Sequence, residues 1–214
     1  DSMRRDFISN LSHELRTPVS VIKANSETLL NGALDDKKDA KIFSKAILHN
    51  ADRLSEMVTS LIDLSRIEYG ELKFVIERID LNDLIETIVL SHKNKAKKKS
   101  IQVLFEHQSD VIVRSDAKAI ERVLNNLIDN AFKYSPENSI IEIKLNKQGE
   151  FIRLAVMDQG EGVAEEEQDL VFKRFFRTAA ARANTQQGSG LGLAIVKNLV
   201  YNLQGDVGVK SISE

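Results

Sequence analysis

Apolar residues recur along the first part of the chain at Met3, Phe7, Leu11, Leu15, Val19, Ile22 and Leu29, spaced by three, four or seven. That is one stripe on a helix. The stretch "NGALDD" (residues 31–36) supplies turn chemistry. A second stripe follows at Phe43, Ile47, Leu54, Met57, Leu61 and Leu64. Each predicted helix is about 30 residues, or roughly 45 Å long at about 1.5 Å per residue. Two such helices form an antiparallel hairpin that cannot bury both flanks of its seam alone. A homodimer making a four-helix bundle solves this; the alternative is a monomeric hairpin packed on the rest of the chain.

From about residue 72 the pattern becomes mixed α and β. "LKFVIERID" (72–80) reads as a strand, and residues 81 to about 98 as a helix ending in lysines, which suit a helix C-terminus. "IQVLFEH" and "VIVRSD" are strand-like, and Asp116 is placed to cap a helix over 117–134. "SIIEIKLNKQG" and "EFIRLAVMD" alternate around Gly149 as a hairpin. Residues 164–188 are polar, then acidic, then small, which predicts a loop with one short helix. A helix resumes after Gly190. The predicted domains are 1–68 and 72–214, joined near residues 69–71.

Composition narrows the class. The chain has 214 residues, 42% hydrophobic and 29% charged, with a formal charge of −2 and no cysteine. Disulfides and thiolate metal sites are excluded, and nothing in the net charge draws the chain to nucleic acid or an anionic membrane. The lysine run "HKNKAKKKS" has no interleaved aromatics and reads as a solvated helix end. No run of about 18 apolar residues occurs, and no signal peptide is visible. Any membrane segments would lie upstream in a longer parent.

Four motifs carry candidate chemistry. In "SHELRTP" (12–18), His13 lies two residues from both Leu11 and Leu15. It is therefore about 200° round the helix from Leu11 at about 100° per residue, facing solvent. A neutral imidazole is a competent nucleophile near neutral pH, and the neighbouring Glu14 can accept its proton. Pro18 cannot donate to the carbonyl of residue 14, so a bend is expected just past the histidine. In "ERVLNNLIDNAFKYS", Asn126 and Asn130 are four apart on one helix face. Their carbonyls suit a Mg²⁺ already carrying phosphates and waters, with Lys133 one turn on to meet a phosphate. Read alone, the same face fits an ordinary exposed polar surface. In "MDQGEGV", Asp158 ends an apolar strand just before Gly160 and Gly162. A buried aspartate there could accept from an exocyclic amine, or the piece could be a simple turn. In "GSGLGLAIVK", glycines at 188, 190 and 192 open a helix whose N-terminal amides favour phosphate. It is neither a Walker loop nor a dinucleotide fingerprint.

In this order the motifs resemble the boxes of the sensor histidine kinases: "FISNLSHELRTPVSVI" the H-box, "LNNLIDNAFKYS" the N-box, "DQGEGV" the G1 box, "FKRFFRT" the F-box and "GSGLGLAIVK" the G2 box. The resemblance covers essentially the whole chain. It implies a dimerisation and histidine-phosphotransfer hairpin followed by an α/β sandwich that binds ATP, of the kind shared with gyrase, Hsp90 and MutL. It implies that His13 is the phosphoacceptor with Glu14 as its base, that Asn126 and Asn130 hold Mg²⁺-ATP, and that Lys133 and Tyr134 lie beside the nucleotide. It implies that Asp158 reads the adenine amine in a pocket shaped by Gly160 and Gly162, and that Phe172, Phe175 and Arg177 belong to a lid. Gly188, Gly190 and Gly192 are implied to contact phosphates, with Leu191 among the nucleotide-binding residues. Thr17 resembles the position that places water for dephosphorylating a partner.

The resemblance implies autophosphorylation, transfer to an aspartate of a response-regulator receiver domain, and regulator phosphatase activity. It implies the cytoplasmic portion of a membrane-anchored bacterial sensor. Two departures stand out: the family's last sheet strand, expected past Ser211, is missing or shortened, and the lid segment "TAAARANTQQ" is small and bland. A gyrase- or Hsp90-type ATPase would need a glutamate where Asn126 stands, and intact boxes argue against a non-catalytic scaffold.

Overall fold

The computed structural model describes residues 2–183 and 188–211. The lid residues 184–187 and the chain past Ser211, where a closing strand is expected, lie outside the described residues, as does the side chain of Met3. The chain divides into two compact units, Asp1–Ser65 and Arg66–Glu214.

The first unit is a helical hairpin. Helix α1 spans Ser2–Thr28 and α2 spans Lys37–Glu68, whose last turn runs into the second unit. The turn between them is closed by Leu34 N–H donating to the Leu29 carbonyl at 3.3 Å. Asp36 then caps α2 by accepting from the Lys38 and Asp39 amides. At the far end, Glu71 N–H bonds the Arg66 carbonyl and Gly70 N–H that of Ile67. This is a Schellman stop, for which Gly70 adopts a φ of 66°. Helix α1 continues unbroken through Pro18. The buried stripe differs from the expected one at a single step. It runs from Leu15 to buried Pro18 to Ile22, while Val19 is 51% exposed. From Leu11, a step of four and then three to Pro18 comes back to within about 20° of the starting face, whereas two steps of four to Val19 drift off it by about 80°. Ile8, Leu48, Val58 and Ile62 are exposed as well.

The second unit is a two-layer α/β structure. Strand β1 (Glu77–Asp80) pairs antiparallel with β3 (Ile112–Ser115), whereas β2 (Gln102–Phe105), β4 (Ile140–Gln148) and β5 (Phe151–Met157) form a mixed sheet. In that sheet β2 runs parallel and β5 antiparallel to β4. Ile141, Ile143 and Leu145 alternate inward from β4 and meet Ile85, Leu124, Ile128 and Phe132 in one core. Those partners come from α3 (Leu81–Ser91) and α5 (Ala117–Tyr134), and α7 (Gly192–Asn202) packs on α5. A short α4 (Lys93–Lys99) follows α3, and a short α6 (Ala179–Ala183) lies within the expected loop.

Two elements are shorter than the periodicity predicts. Strand β1 covers only the end of 72–80, because its partner β3 is four residues long and the Val75 amide is diverted to the Asp116 carboxylate at 2.6 Å. The helix expected over 81 to about 98 breaks at His92. There the Ser91 hydroxyl and the His92 Nδ1 both reach the Ile88 carbonyl, at 2.7 and 2.9 Å, in competition with the helical backbone. The His92 ring also stacks on Phe132, with centroids 5.8 Å apart.

Candidate functional site

In the hairpin, the helical pattern places His13 outward, and its side chain is exposed. Glu14 is turned far enough round α1 to be half-buried. Its Oε2 lies 3.4 Å from Nη2 of Arg53 on α2. Thr17, one turn on, donates its hydroxyl to the His13 carbonyl at 3.3 Å. This is the habitual back-bond of threonine in helices. Arg53 is not among the residues that the motifs single out. Its signal was a charged residue on the inward face of α2, in the series Ala46, Asn50, Arg53 and Met57, whose members are half-buried or buried.

In the second unit, three segments converge on the C-terminal half of α5. Asp116 starts that helix by accepting from the Ala119 amide at 2.8 Å. From this start, period 3.6 turns Leu124, Ile128, Ala131 and Phe132 into the core and leaves Asn126, Asn130, Lys133 and Tyr134 half-buried. The Asn126 Nδ2 donates to the Arg122 carbonyl at 2.8 Å, so its amide orientation is set by its own helix. The Asn126 Oδ1 then points at the start of α7: a β-carbon on Gly192 would lie 2.8 Å from it. One on Gly188 would lie 2.2 Å from the Lys133 ammonium. Gly190 has a φ of 67°, and a β-carbon there would meet the Phe175 backbone at 2.8 Å. Phe175 N–H in turn donates to the Gly190 carbonyl at 2.9 Å. Thus the glycine segment folds against both the asparagine helix and the phenylalanine segment. Its backbone closes on an amide oxygen and an ammonium, which is what an oxyanion-rich ligand bound with a cation requires.

Lys133 donates to the Tyr134 hydroxyl at 3.0 Å. Burial pushes the Tyr134 phenol above its ordinary value; Arg177 opposes and Glu161 adds to the rise. Arg177 also donates to the Ala181 carbonyl at 2.6 Å, and Phe172 lies under the Lys197 ammonium at 5.7 Å. At the C-terminal end of α5, a β-carbon on Gly160 would fall 2.8 Å from Asp158 Oδ1 and 3.1 Å from the Tyr134 carbonyl. The exit of β5 therefore sits on the end of α5. Gly162, with a φ of 73°, lies against Ser211.

Two residues stand differently from expectation. Asp158 is exposed rather than buried, because it falls one residue past the end of β5 at Met157. One of its oxygens accepts from the Gly160 amide at 2.8 Å, leaving the other for a ligand. Leu191 has its side chain fully buried, so its backbone is the part left to meet a ligand. The structure assembles Asn126, Lys133, Tyr134, Gly188, Gly190 and Gly192 around one surface of the second unit. His13, Glu14 and Thr17 form a separate group on the hairpin.

No group of three or more His, Asp or Glu side chains that could hold a metal occurs among the described residues. No helix among them is long and apolar enough to cross a membrane.

Residues 3–70 match the family described as "His Kinase A (phospho-acceptor) domain". Residues 115–214 match "Histidine kinase-, DNA gyrase B-, and HSP90-like ATPase". The sensor-like histidine kinase SenX3 of Mycobacterium bovis is 39% identical over 211 residues, covering 99% of this chain and 51% of that protein. The chain thus spans about half the length of the curated relatives it matches first. The solved structure of Acinetobacter baumannii histidine kinase AdeS is 28% identical with a TM-score of 0.71, covering 91% of this chain and 88% of that one. Histidine kinase ThkA, solved in complex with the response regulator protein TrrA, has a TM-score of 0.81 at 24% identity and covers 99% of this chain and 59% of that one. At that identity the likeness is one of fold.

Proposed function

The chain belongs to the sensor histidine kinases, and we propose that it takes the γ-phosphate of ATP onto His13 and passes it to an aspartate of a response-regulator receiver domain. The observation that carries this reading is the closure of the glycine segment on the Asn126 oxygen and the Lys133 ammonium. On this reading the Gly188–Gly192 backbone and Lys133 hold the phosphate tail, Tyr134 flanks the nucleotide, and the free oxygen of Asp158 accepts from the adenine amine. Gly160 and Gly162 keep the backbone close on that side, and Phe172, Phe175 and Arg177 carry the lid. Mg²⁺ fits the neutral carbonyls of Asn126 and Asn130, where it would supply charge neutralisation on the phosphate oxygens.

At His13 one ring nitrogen attacks the γ-phosphorus. The N–P bond forms as the bond to the β-phosphate oxygen breaks, the electron pair leaving with ADP. The proton on the other ring nitrogen passes to Glu14. The same phosphohistidine then donates its phosphoryl group to the regulator. Thr17 orients water for the reverse duty, dephosphorylation of that regulator.

The functional arrangement is a phosphotransfer domain over 1–68 and an ATP-binding domain over 72–214, dimerised through the hairpin. The exposed Ile8, Val19, Leu48, Val58 and Ile62 support the dimer, since they supply a second apolar flank to each hairpin. The chain is read as the cytoplasmic portion of a membrane-anchored sensor, its membrane segments belonging to a longer parent. The test uses ATP labelled at either the γ- or the α-phosphate, with Mg²⁺. Acid-labile label on the protein from the γ-position alone supports the reading. Release of inorganic phosphate with none on the protein would favour a simple ATPase.

A further inference from the structure

Arg53 has a role that neither the motifs nor the periodicity assigns. We propose that it is the positioning residue for Glu14, holding one carboxylate oxygen so that the other is presented to the His13 ring. The inference rests on the reading of Glu14 as the proton acceptor.

Arg53 crosses from α2 to α1, and its Nη2 lies 3.4 Å from Glu14 Oε2. Its side chain is 18% exposed and that of Glu14 30%. Its Nε is buried with no hydrogen-bond partner. As a stabilising device this is a poor arrangement. The contact is at the long limit of a hydrogen bond, the guanidinium is largely withdrawn from water, and one of its donors is unmatched. A well-packed apolar residue would hold the two helices together better. What the arginine adds is direction. A carboxylate on a helix surface next to an exposed imidazole has free rotamers, and most of them point away from the ring. Fixing Oε2 on α2 removes that freedom and leaves Oε1 to meet the imidazole N–H. Proton acceptors depend on such placement, as catalytic histidines depend on the carboxylate behind them.

The test is a double-mutant cycle on the full chain, reading the initial rate of His13 labelling across ATP concentrations. Arg53→Gln is expected to lower kcat about 10- to 100-fold, the usual scale for a misplaced reacting group. The KM for ATP should stay within about twofold, and Arg53→Lys should recover part of the rate. In a Glu14→Gln background, Arg53→Gln should cost less than about twofold further, because the two residues act as one unit. The same fold-loss in both backgrounds, or an unchanged kcat, overturns the proposal while leaving the kinase reading intact. A Glu14→Gln rate equal to wild type overturns it together with the role given to Glu14. Melting curves check each variant, and if Arg53→Gln does not fold, Arg53→Met, which fills the same space without a charge, goes through the same cycle under the same criteria.

Discussion

Replacing Gly192 with alanine isolates the nucleotide site from the stability of the fold. Gly192 opens α7 and its φ is not positive, so alanine meets no backbone strain there. Helix propensity alone favours alanine over glycine by roughly 0.5–1 kcal/mol. The obstacle is local: the new β-carbon would sit 2.8 Å from Asn126 Oδ1, well inside the roughly 3.5 Å at which carbon contacts become attractive. The backbone on both sides is packed, since Leu191 and Ala194 are buried. The amide must therefore give way by about half an ångström or more. Its movement also strains the Asn126 bond to the Arg122 carbonyl, worth about 1 kcal/mol. The fold loses little, the two terms nearly offsetting, and the melting temperature should stay within a few degrees. Binding loses more, because the displaced oxygen is the one assigned to Mg²⁺ and the phosphates. The affinity for Mg²⁺-ATP should fall at least about tenfold, or roughly 1.4 kcal/mol. Calorimetry with a non-hydrolysable analogue, run beside thermal melts, reads both quantities. Wild-type affinity in a folded Gly192→Ala protein would refute the placement of Asn126 at the ligand.

Other expectations follow from the same geometry. Thr17→Ala should keep autophosphorylation and lose about tenfold or more in dephosphorylation of the phosphorylated regulator. Parallel losses in both activities would reduce the residue to its back-bond to His13. The whole chain should scatter light as a dimer, twice the chain mass, at about micromolar concentration; a clean monomer would contradict the bundle. Because burial holds the Tyr134 phenol above its ordinary value, its neutral form is favoured by folding. The stability it contributes is complete below a pH of about 10, the unfolded value, and is lost as pH rises through the folded value. Tyr134→Phe should flatten that alkaline loss in denaturant titrations, and an unchanged alkaline limb would show that the phenol is not the group responsible.

The parts legible in the sequence are those written in local chemistry. Asp116 announces the start of α5, and the helix begins where that residue places it. The alternation of Ile141, Ile143 and Leu145 is enough to set the inner face of β4. What stayed hidden depends on partners distant in the chain. The break at His92 needs the face of Phe132, 40 positions away, to receive the ring. The shortening of β1 needs the Asp116 carboxylate to take an amide that periodicity assigns to a ladder. Arg53 reads as one more surface charge until α1 is laid beside α2 and Glu14 meets it. Asp158 was expected to be buried because it follows an apolar strand, yet the ladder stops at Met157 and leaves it outside.

The claim at the centre is that His13 receives the phosphoryl group while a separate set of residues holds the nucleotide. His13→Gln, assayed for label from γ-labelled ATP and for nucleotide affinity on the same preparation, tests it most directly. The account predicts no label above background, with the affinity for Mg²⁺-ATP within about twofold of wild type. Retained labelling in the folded variant would contradict it.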